Sequence, residues 1–464
     1  MFKKNFQNPI FWGLLIFFAA GFFRLLFFNL IEFKSDEALF FSQIVNFYNH
    51  PTVIQRGIIT SLGTYSFPLF TYILIILSAI IRNPQFLTFS IALINTLTVV
   101  IFYFVVKRIF GNTTAIFGSL ILAFLPWGII FSRKIWPQDL LLILLIPLIY
   151  LLNRLILKKN QKFTFLIFLI FALIIQLHSS GIFLFVSTII ILLIFRIKLD
   201  LKSAILGIIA GSVTVIPFLI FQLKANPLCP DCEAFLKYQN SIRIRDIYNF
   251  IRPFQIMTGM GFHFILGSDY EGFTKAFPQI NFLRQVFLAT PLIFTLGVIS
   301  IVKEKRKYLY LLFYVAIIPS LYFITKTKAF MHYFIILIPI LTIIYALGFT
   351  FIFEKANKIY LKIFTLFLFG VFLLSNIIFQ FSLNQFLESK QNINGDYGPI
   401  FSVTQKKVEE MTSQYKNLPS YQKIVSIAYL ANSGKVEKAK EEINASGFDQ
   451  KFAEKLEQDL GLKK

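Results

Sequence analysis

The stretch Gly21-Phe22-Phe23-Arg24-Leu25-Leu26-Phe27-Phe28-Asn29-Leu30-Ile31-Glu32-Phe33-Lys34-Ser35-Asp36-Glu37-Ala38-Leu39 decides how the chain is read. An apolar run ends here, Arg24 lies one to two turns before its end, and the adjacent acids Asp36 and Glu37 follow. Apart from Glu32 they are the first acids in a greasy, basic chain. Paired carboxylates just beyond a first membrane span are where chemistry is to be sought.

The whole chain bears out the membrane reading of that run. It has 464 residues, 56% hydrophobic and 17% aromatic, with a mean hydropathy of +0.70. Soluble domains average about 45–50% apolar, and several runs here approach or exceed the roughly 18–20 residues that cross a bilayer. The sequence therefore predicts an all-α polytopic membrane protein. A net charge of +22 would suit nucleic acid, but the basic residues lie mostly in short loops between apolar runs. That is the pattern of cytoplasmic anchoring, so no nucleic-acid partner is expected; membrane lipids are. The first run carries Arg24 and lacks a clear small-residue cleavage site, so it does not read as a cleaved signal.

Charge sets the sides. Lys3 and Lys4 precede Phe11–Leu30, which puts the N-terminus in the cytoplasm and residues 31–83 outside. The apolar piece Phe67–Ile81 is ambiguous. If it does not cross, the inner loops hold Lys107-Arg108, Arg154 to Lys162, Arg196 to Lys202, Lys303 to Lys307 and Lys355 to Lys362, which are the basic clusters. If it crosses, those clusters fall outside, against the positive-inside bias. Phe67–Ile81 is therefore expected to be re-entrant or interfacial, covered by protein. About eleven spans follow: 11–30, 86–106, 115–131, 140–153, 163–177, 181–195, 203–222, 286–302, 308–324, 333–352 and 360–381. Residues 1–381 form the membrane domain, with outer loops 31–83, 132–139 and 223–285. Residues 382–464 form an extracytoplasmic helical tail, in which Tyr421–Asn432, Gly434 and Val436–Asn444 read as a hairpin. A helix with Phe448, Phe452, Leu456 and Leu460 on one stripe follows.

Several residues could carry chemistry. Ser35-Asp36-Glu37 could merely open a surface helix, its acids favoured by the helix dipole. Alternatively Asp36, with Glu37 beside it, is a general base against an apolar, water-excluding surface. In Ser132-Arg133-Lys134-Ile135-Trp136-Pro137-Gln138-Asp139, Arg133 and Trp136 could simply anchor at the headgroups. Alternatively Arg133 and Lys134 hold a phosphate, while Asp139 orients the acceptor or supports Asp36. Lys326 and Lys328 with His332 form a basic cluster outside, against the bias. Phosphate binding and contact with anionic headgroups are equal readings. His178, at an outer membrane boundary, is either a structural hydrogen-bonded histidine or an acceptor contact. Cys229-Pro230-Asp231-Cys232, in an outer loop, is expected as a local disulfide. No zinc site, Walker loop or dinucleotide motif is present.

The order of these features resembles the GT-C membrane glycosyltransferases, in particular the branch of protein O-mannosyltransferases and lipid A aminoarabinose transferase. The resemblance rests on a first span ending in Arg24, Asp36-Glu37 outside, Phe67-Pro68-Leu69, cytoplasmic Lys107-Arg108-Ile109-Phe110-Gly111, and Ser132-Arg133 with Asp139. Met331-His332-Tyr333 with Pro339 is more weakly similar to a late Tyr–Pro stretch. Where many relatives carry His-Pro-Pro-Leu, this chain has Ser66-Phe67-Pro68-Leu69. The resemblance implies a GT-C-like catalytic domain, a polyprenyl-phosphate sugar donor, and a protein, lipid or cell-wall acceptor. It implies that Asp36 is the catalytic acid, supported by Glu37 and Asp139. Arg133 matches the family's second-loop motif; in our own reading of the residues it would meet the departing phosphate with Lys134, Lys326, Lys328 and His332, and Arg24 would be a structural or acceptor contact. A divalent metal held by Asp36 and Asp139 is compatible but not required. The rival reading is a transporter or lipid flippase, which would want charged groups within the spans.

Overall fold

The computed structural model describes residues 8–60, 63–224 and 246–463. Cys229 and Cys232 lie outside the described residues.

Among the described residues eleven apolar segments occur, one at each expected span. Six helices are long and apolar enough to cross a membrane, a bent pair makes a seventh, and four are shorter apolar helices. Numbered in chain order, α1 is Pro9–Leu25, α2 Ser35–Asn49 and α3 Leu69–Leu77. They are followed by α4 Pro84–Phe110, α5 Asn112–Phe124, α6 Pro126–Ile130, α7 Leu141–Lys158, α8 Thr164–Leu177, α9 Ser180–Ile194, α10 Leu201–Gly211 and α11 Ile216–Lys224. After short helices α12 Arg252–Gln255, α13 His263–Leu266 and α14 Asp269–Ala276 come α15 Gln279–Lys303, α16 Leu309–Ile324, α17 Ile338–Lys355 and α18 Ile359–Lys390. Among the described residues, the strands of a sheet are β1 Asn392–Ile393 and β2 Gly398–Pro399, an antiparallel pair. The tail then forms α19 Phe401–Thr412, α20 Tyr421–Asn432, α21 Val436–Asn444 and α22 Gln450–Asp459.

The departures from the expected boundaries are local. The third apolar segment breaks at Leu125, because Pro126 has no N–H to continue the ladder. The seventh bends by 45° between α10 and α11. The first helix ends at Leu25 rather than Leu30, and Phe27 turns the chain with φ +62°. The last span does not stop at 381: α18 continues to Lys390, because Ser382, Leu383, Asn384, Phe386 and Leu387 are buried against the protein.

Glycines set the closest helix contacts. A Cβ on Gly297 of α15 would lie 2.0 Å from the Ile344 carbonyl of α17, and one on Gly348 would lie 2.2 Å from the Ile293 carbonyl. Gly207 of α10 meets the Phe165 carbonyl of α8 in the same way, at 2.3 Å. Only glycine lets these backbones touch.

Nine residues make α3 far too short to cross a bilayer at about 1.5 Å per residue. It lies against α2 and the following loop. Thr71 Oγ1 donates to Gln43 Oε1 at 2.9 Å, Tyr48 OH donates to the Ile75 carbonyl at 2.8 Å, and Phe40 packs edge-on to Phe70. The tail closes over the same end of the bundle. Phe401 N–H donates to the Ile31 carbonyl at 2.8 Å, and Glu32 pairs with Ile400 as an isolated antiparallel bridge. Residues 31–34 and 400–401 thus share one end of the bundle.

Candidate functional site

The site forms where the segment after α1, the loop between α6 and α7, and the tail hairpin converge. Glu37 starts α2 from within: its Oε2 accepts the Lys34 backbone N–H at 3.0 Å, closing the first turn. That fixes Asp36 and Glu37 on different faces. Glu37 points inward and is 1% exposed. Asp36 is half-buried.

The second loop enters beneath. Lys134 N–H donates to Asp139 Oδ2 at 2.9 Å, and Asn95 Nδ2 donates to the Asp139 carbonyl at 2.8 Å. Asp139, fully buried, therefore shapes the loop and does not face a surface. The Lys134 ammonium lies 2.7 Å from Glu32 Oε2, 4.0 Å from Glu37 Oε1 and 3.9 Å from the centre of the Trp136 ring. Lys34 Nζ reaches the other Glu32 oxygen at 2.8 Å and Asp396 at 3.1 Å. Trp136 Nε1–H donates to Asp36 Oδ2 at 3.2 Å. Indole and ammonium thus link the open carboxylate to the buried ones.

Burial governs the charges. It raises the Glu37 carboxyl most, against the pull of Lys134 and with Glu32 and Asp36 adding to the rise, to about 7. Burial acts to lower Lys134, but Glu32 and Glu37 outweigh it and hold the ammonium above its ordinary range. Burial lowers the Arg133 guanidinium and raises the Tyr397 phenol. The Tyr397 hydroxyl donates to the Leu30 carbonyl. Ile31, Glu32, Ile130, Arg133, Lys134 and Tyr397 line a small pocket at this point.

The expected cations divide. Arg133 is 2% exposed and donates from Nη1 to the Phe23 and Leu26 carbonyls at 2.9 and 3.3 Å. It fastens the end of α1 as well as lining the pocket. Arg24 is a structural residue: it donates to the Ala123 and Leu122 carbonyls at 2.7 and 3.0 Å. Pro126 leaves the Leu122 carbonyl without its helical partner. Lys326 and Lys328 are exposed. Lys328 lies over the Phe330 ring at 5.7 Å, and Phe330 stacks on His332 at 6.0 Å. His332 meets Trp136 edge-on at 5.1 Å and His178 at 5.4 Å. His178 Nδ1 pairs with Ser180 Oγ at 2.7 Å, and burial lowers its imidazole to about 4. Both imidazoles flank the Trp136 edge of the site. Glu32 and Tyr397 were missed from the sequence. The proximity of Glu32 to Lys34, at the exit of a span, was the available signal for the first.

Among the described residues no group of three or more His, Cys, Asp or Glu is arranged to hold a metal. Beside Asp36, Glu32 pairs with both Lys134 and Lys34, and Glu37 lies 4.0 Å from Lys134. The described residues around Asp36 therefore offer no protein-built metal centre.

Residues 66–221 match the family model described as dolichyl-phosphate-mannose-protein mannosyltransferase. No curated protein matches the chain by sequence. The oligosaccharyltransferase of Archaeoglobus fulgidus, solved with zinc and sulfate, is similar in fold, with a TM-score of 0.53 and 13% identity over 89% of this chain. This chain covers 56% of that protein's length. ArnT from Cupriavidus metallidurans in the apo state is similar with a TM-score of 0.52 and 12% identity, over 97% of this chain and 74% of that one. Residues 66–221 thus resemble that mannosyltransferase family, and the chain shares its membrane-protein fold with these two structures.

Proposed function

We propose that the protein moves a sugar from a polyprenyl-phosphate donor to an acceptor at the outer face of the membrane, by a single inverting displacement with Asp36 as general base. One observation carries this reading. Asp36 is the half-open carboxylate of the cluster, oriented by Trp136, while Glu32, Glu37 and Asp139 beside it are buried. The match to a family named for a lipid-phosphate sugar supports the donor class. The acceptor hydroxyl gives its proton to Asp36 as its oxygen attacks the anomeric carbon. The bond from that carbon to the phosphate oxygen breaks, and the electron pair leaves with the polyprenyl phosphate. Lys134 supplies a fixed positive field behind the site, and exposed Lys326 and Lys328 are available to the developing phosphate charge. Glu37 and Asp139 act as positioning residues. Residues 1–381 form the catalytic domain and 382–464 a cap on its extracytoplasmic side. The membrane is the plasma (inner) membrane, with the N-terminus in the cytoplasm, as the basic inner loops support. The acceptor is a protein, a lipid or a cell-wall polymer.

The test is sugar transfer by purified wild type and Asp36→Asn, with a panel of polyprenyl-phosphate sugars and membrane extract as acceptor. A fall of at least about 100-fold in the mutant is expected for a lost general base. Equal transfer would remove Asp36 from that role.

A second reading, a transporter or lipid flippase without transferase activity, has one observation in its favour. Asn376, Gln380 and Asn384 form a buried amide stripe along α18, and both Asn376 polar atoms lack a hydrogen-bond partner. Lipid scrambling in reconstituted vesicles, with no sugar transfer, would favour it.

A further inference from the structure

The family match ends at residue 221, yet the tail far beyond it reaches the core of the site. The turn between β1 and β2 inserts between the exit of α1 and the loop after α13. Tyr397 is 2% exposed, its N–H donates to the Ile265 carbonyl at 2.9 Å, and its hydroxyl donates to the Leu30 carbonyl. Its ring lines the pocket shared by Glu32, Arg133 and Lys134. Its neighbour Asp396 pairs with Lys34, which itself pairs with Glu32. The hairpin is anchored from the other side, where Asn394 N–H donates to Asp269 Oδ2 at 2.7 Å. Further along, Tyr429 packs on Phe33 and Phe41 with ring centres 4.8 and 5.8 Å apart. Lys423 and Glu442 clasp Asn46 at the far end of α2, with Asn46 Nδ2 donating to Glu442 Oε2 at 2.8 Å. Asp36 thus lies on a segment that the tail holds before, beside and behind it.

We propose that the tail is a constituent of the active site and that Tyr397 is a positioning residue, holding the Glu32–Lys134 pair and, through Lys134 and Trp136, the Asp36 carboxylate. The proposal rests on the transferase reading for its catalytic consequence only. A phenol bonded to the last carbonyl of the turn at Leu30 fixes where Glu32 begins. Without that bond the carbonyl and the pocket take up water, and Glu37 loses part of the burial that raises its carboxyl. The titratable and charged groups facing Glu37 are Glu32, Asp36, Lys134 and Asp139, with Lys34, Arg133 and Tyr397 beyond them.

Tyr397→Phe keeps the ring and removes only the hydroxyl. Two readouts are needed, one of them independent of activity. The first is transfer kinetics: kcat is expected to fall by about tenfold, the upper range for one lost hydrogen bond, with the donor KM nearly unchanged. The second is the pH titration of Trp136 fluorescence, taken as the difference between each protein and the same protein carrying Trp136→Phe. Its midpoint is expected to drop by about half a pH unit or more. Asp396→Asn, which loosens the same hairpin at an exposed position, is the second variant and is expected to shift the midpoint in the same direction. An unmoved midpoint in folded Tyr397→Phe overturns the proposal, and so does a moved midpoint with unchanged kcat. A wild type that transfers no sugar but whose midpoint moves on substitution would sink the transferase reading and leave the positioning role supported.

Discussion

Lys134 holds its ammonium 2.7 Å from Glu32 Oε2, with the two side chains 5% and 3% exposed. Breaking such a pair from one side strands a buried charge, at about 3–5 kcal/mol. Glu32→Gln is therefore expected to lower unfolding stability in detergent by about that much. The double replacement Glu32→Leu with Lys134→Met is expected to recover most of the loss. A Glu32→Gln protein as stable as wild type would show that the pair does not hold the loops together.

Glu37 gives a pH signature of definite sign. Its folded value of about 7 stands above the ordinary 4.5, so the native state binds more protons than the unfolded chain between those limits. Its contribution is fully present below about 4.5 and is lost as pH rises to about 7. Each unit is worth about 1.4 kcal/mol, so the full change is on the order of 3 kcal/mol. Unfolding free energy measured near pH 5 and near pH 8 is expected to show a steeper decline in wild type than in Glu37→Gln. Parallel profiles would exclude Glu37 as the titrating group.

Arg24 and Pro126 are expected to be coupled. Arg24→Leu leaves the Leu122 and Ala123 carbonyls without their donor, costing about 1–3 kcal/mol for each stranded group. Pro126→Ala restores an N–H four residues beyond Leu122, so Arg24→Leu should cost less in that background. A double-mutant cycle by thermal unfolding measures this, and strict additivity would count against it.

Gly297→Ala drives a methyl group into the Ile344 carbonyl of the facing helix. Overpacking of this kind costs about 1–3 kcal/mol, while the same change at Gly370, where nothing lies within 4 Å, should be close to neutral. Thermal midpoints of the two variants in one detergent make the comparison. Equal midpoints would mean that α15 and α17 separate freely.

The spans were legible because each apolar run is itself the signal. The basic clusters between them were enough to keep Phe67–Ile81 from crossing, and nine helical residues agree. Asp36, Glu37, Arg133, Lys134 and Asp139 were legible as a neighbourhood because they sit in two short polar loops. What each does there was not. Arg24 reads as a charge near a membrane face, yet its role depends on a carbonyl freed by a proline 102 positions later. Lys134 reads as a phosphate ligand until Glu32 is found against it. The end of α18 was hidden by Gln380, Ser382 and Asn384, whose polarity ends an apolar run although their side chains are buried. Tyr397 has no local pattern at all, since its importance comes from a contact 367 residues away in sequence.

That separation also orders the molecule in time. The segment bearing Asp36 is synthesised long before Tyr397 and Tyr429, the side chains that clasp it. Closing so long a loop carries an entropy cost that short-range helix pairing does not. The spans can therefore pack pairwise as they emerge, but the site is finished only when the tail folds back over the first outer segment. The helices that shelter the Asp36 cluster therefore exist as neighbours before the cluster itself is closed.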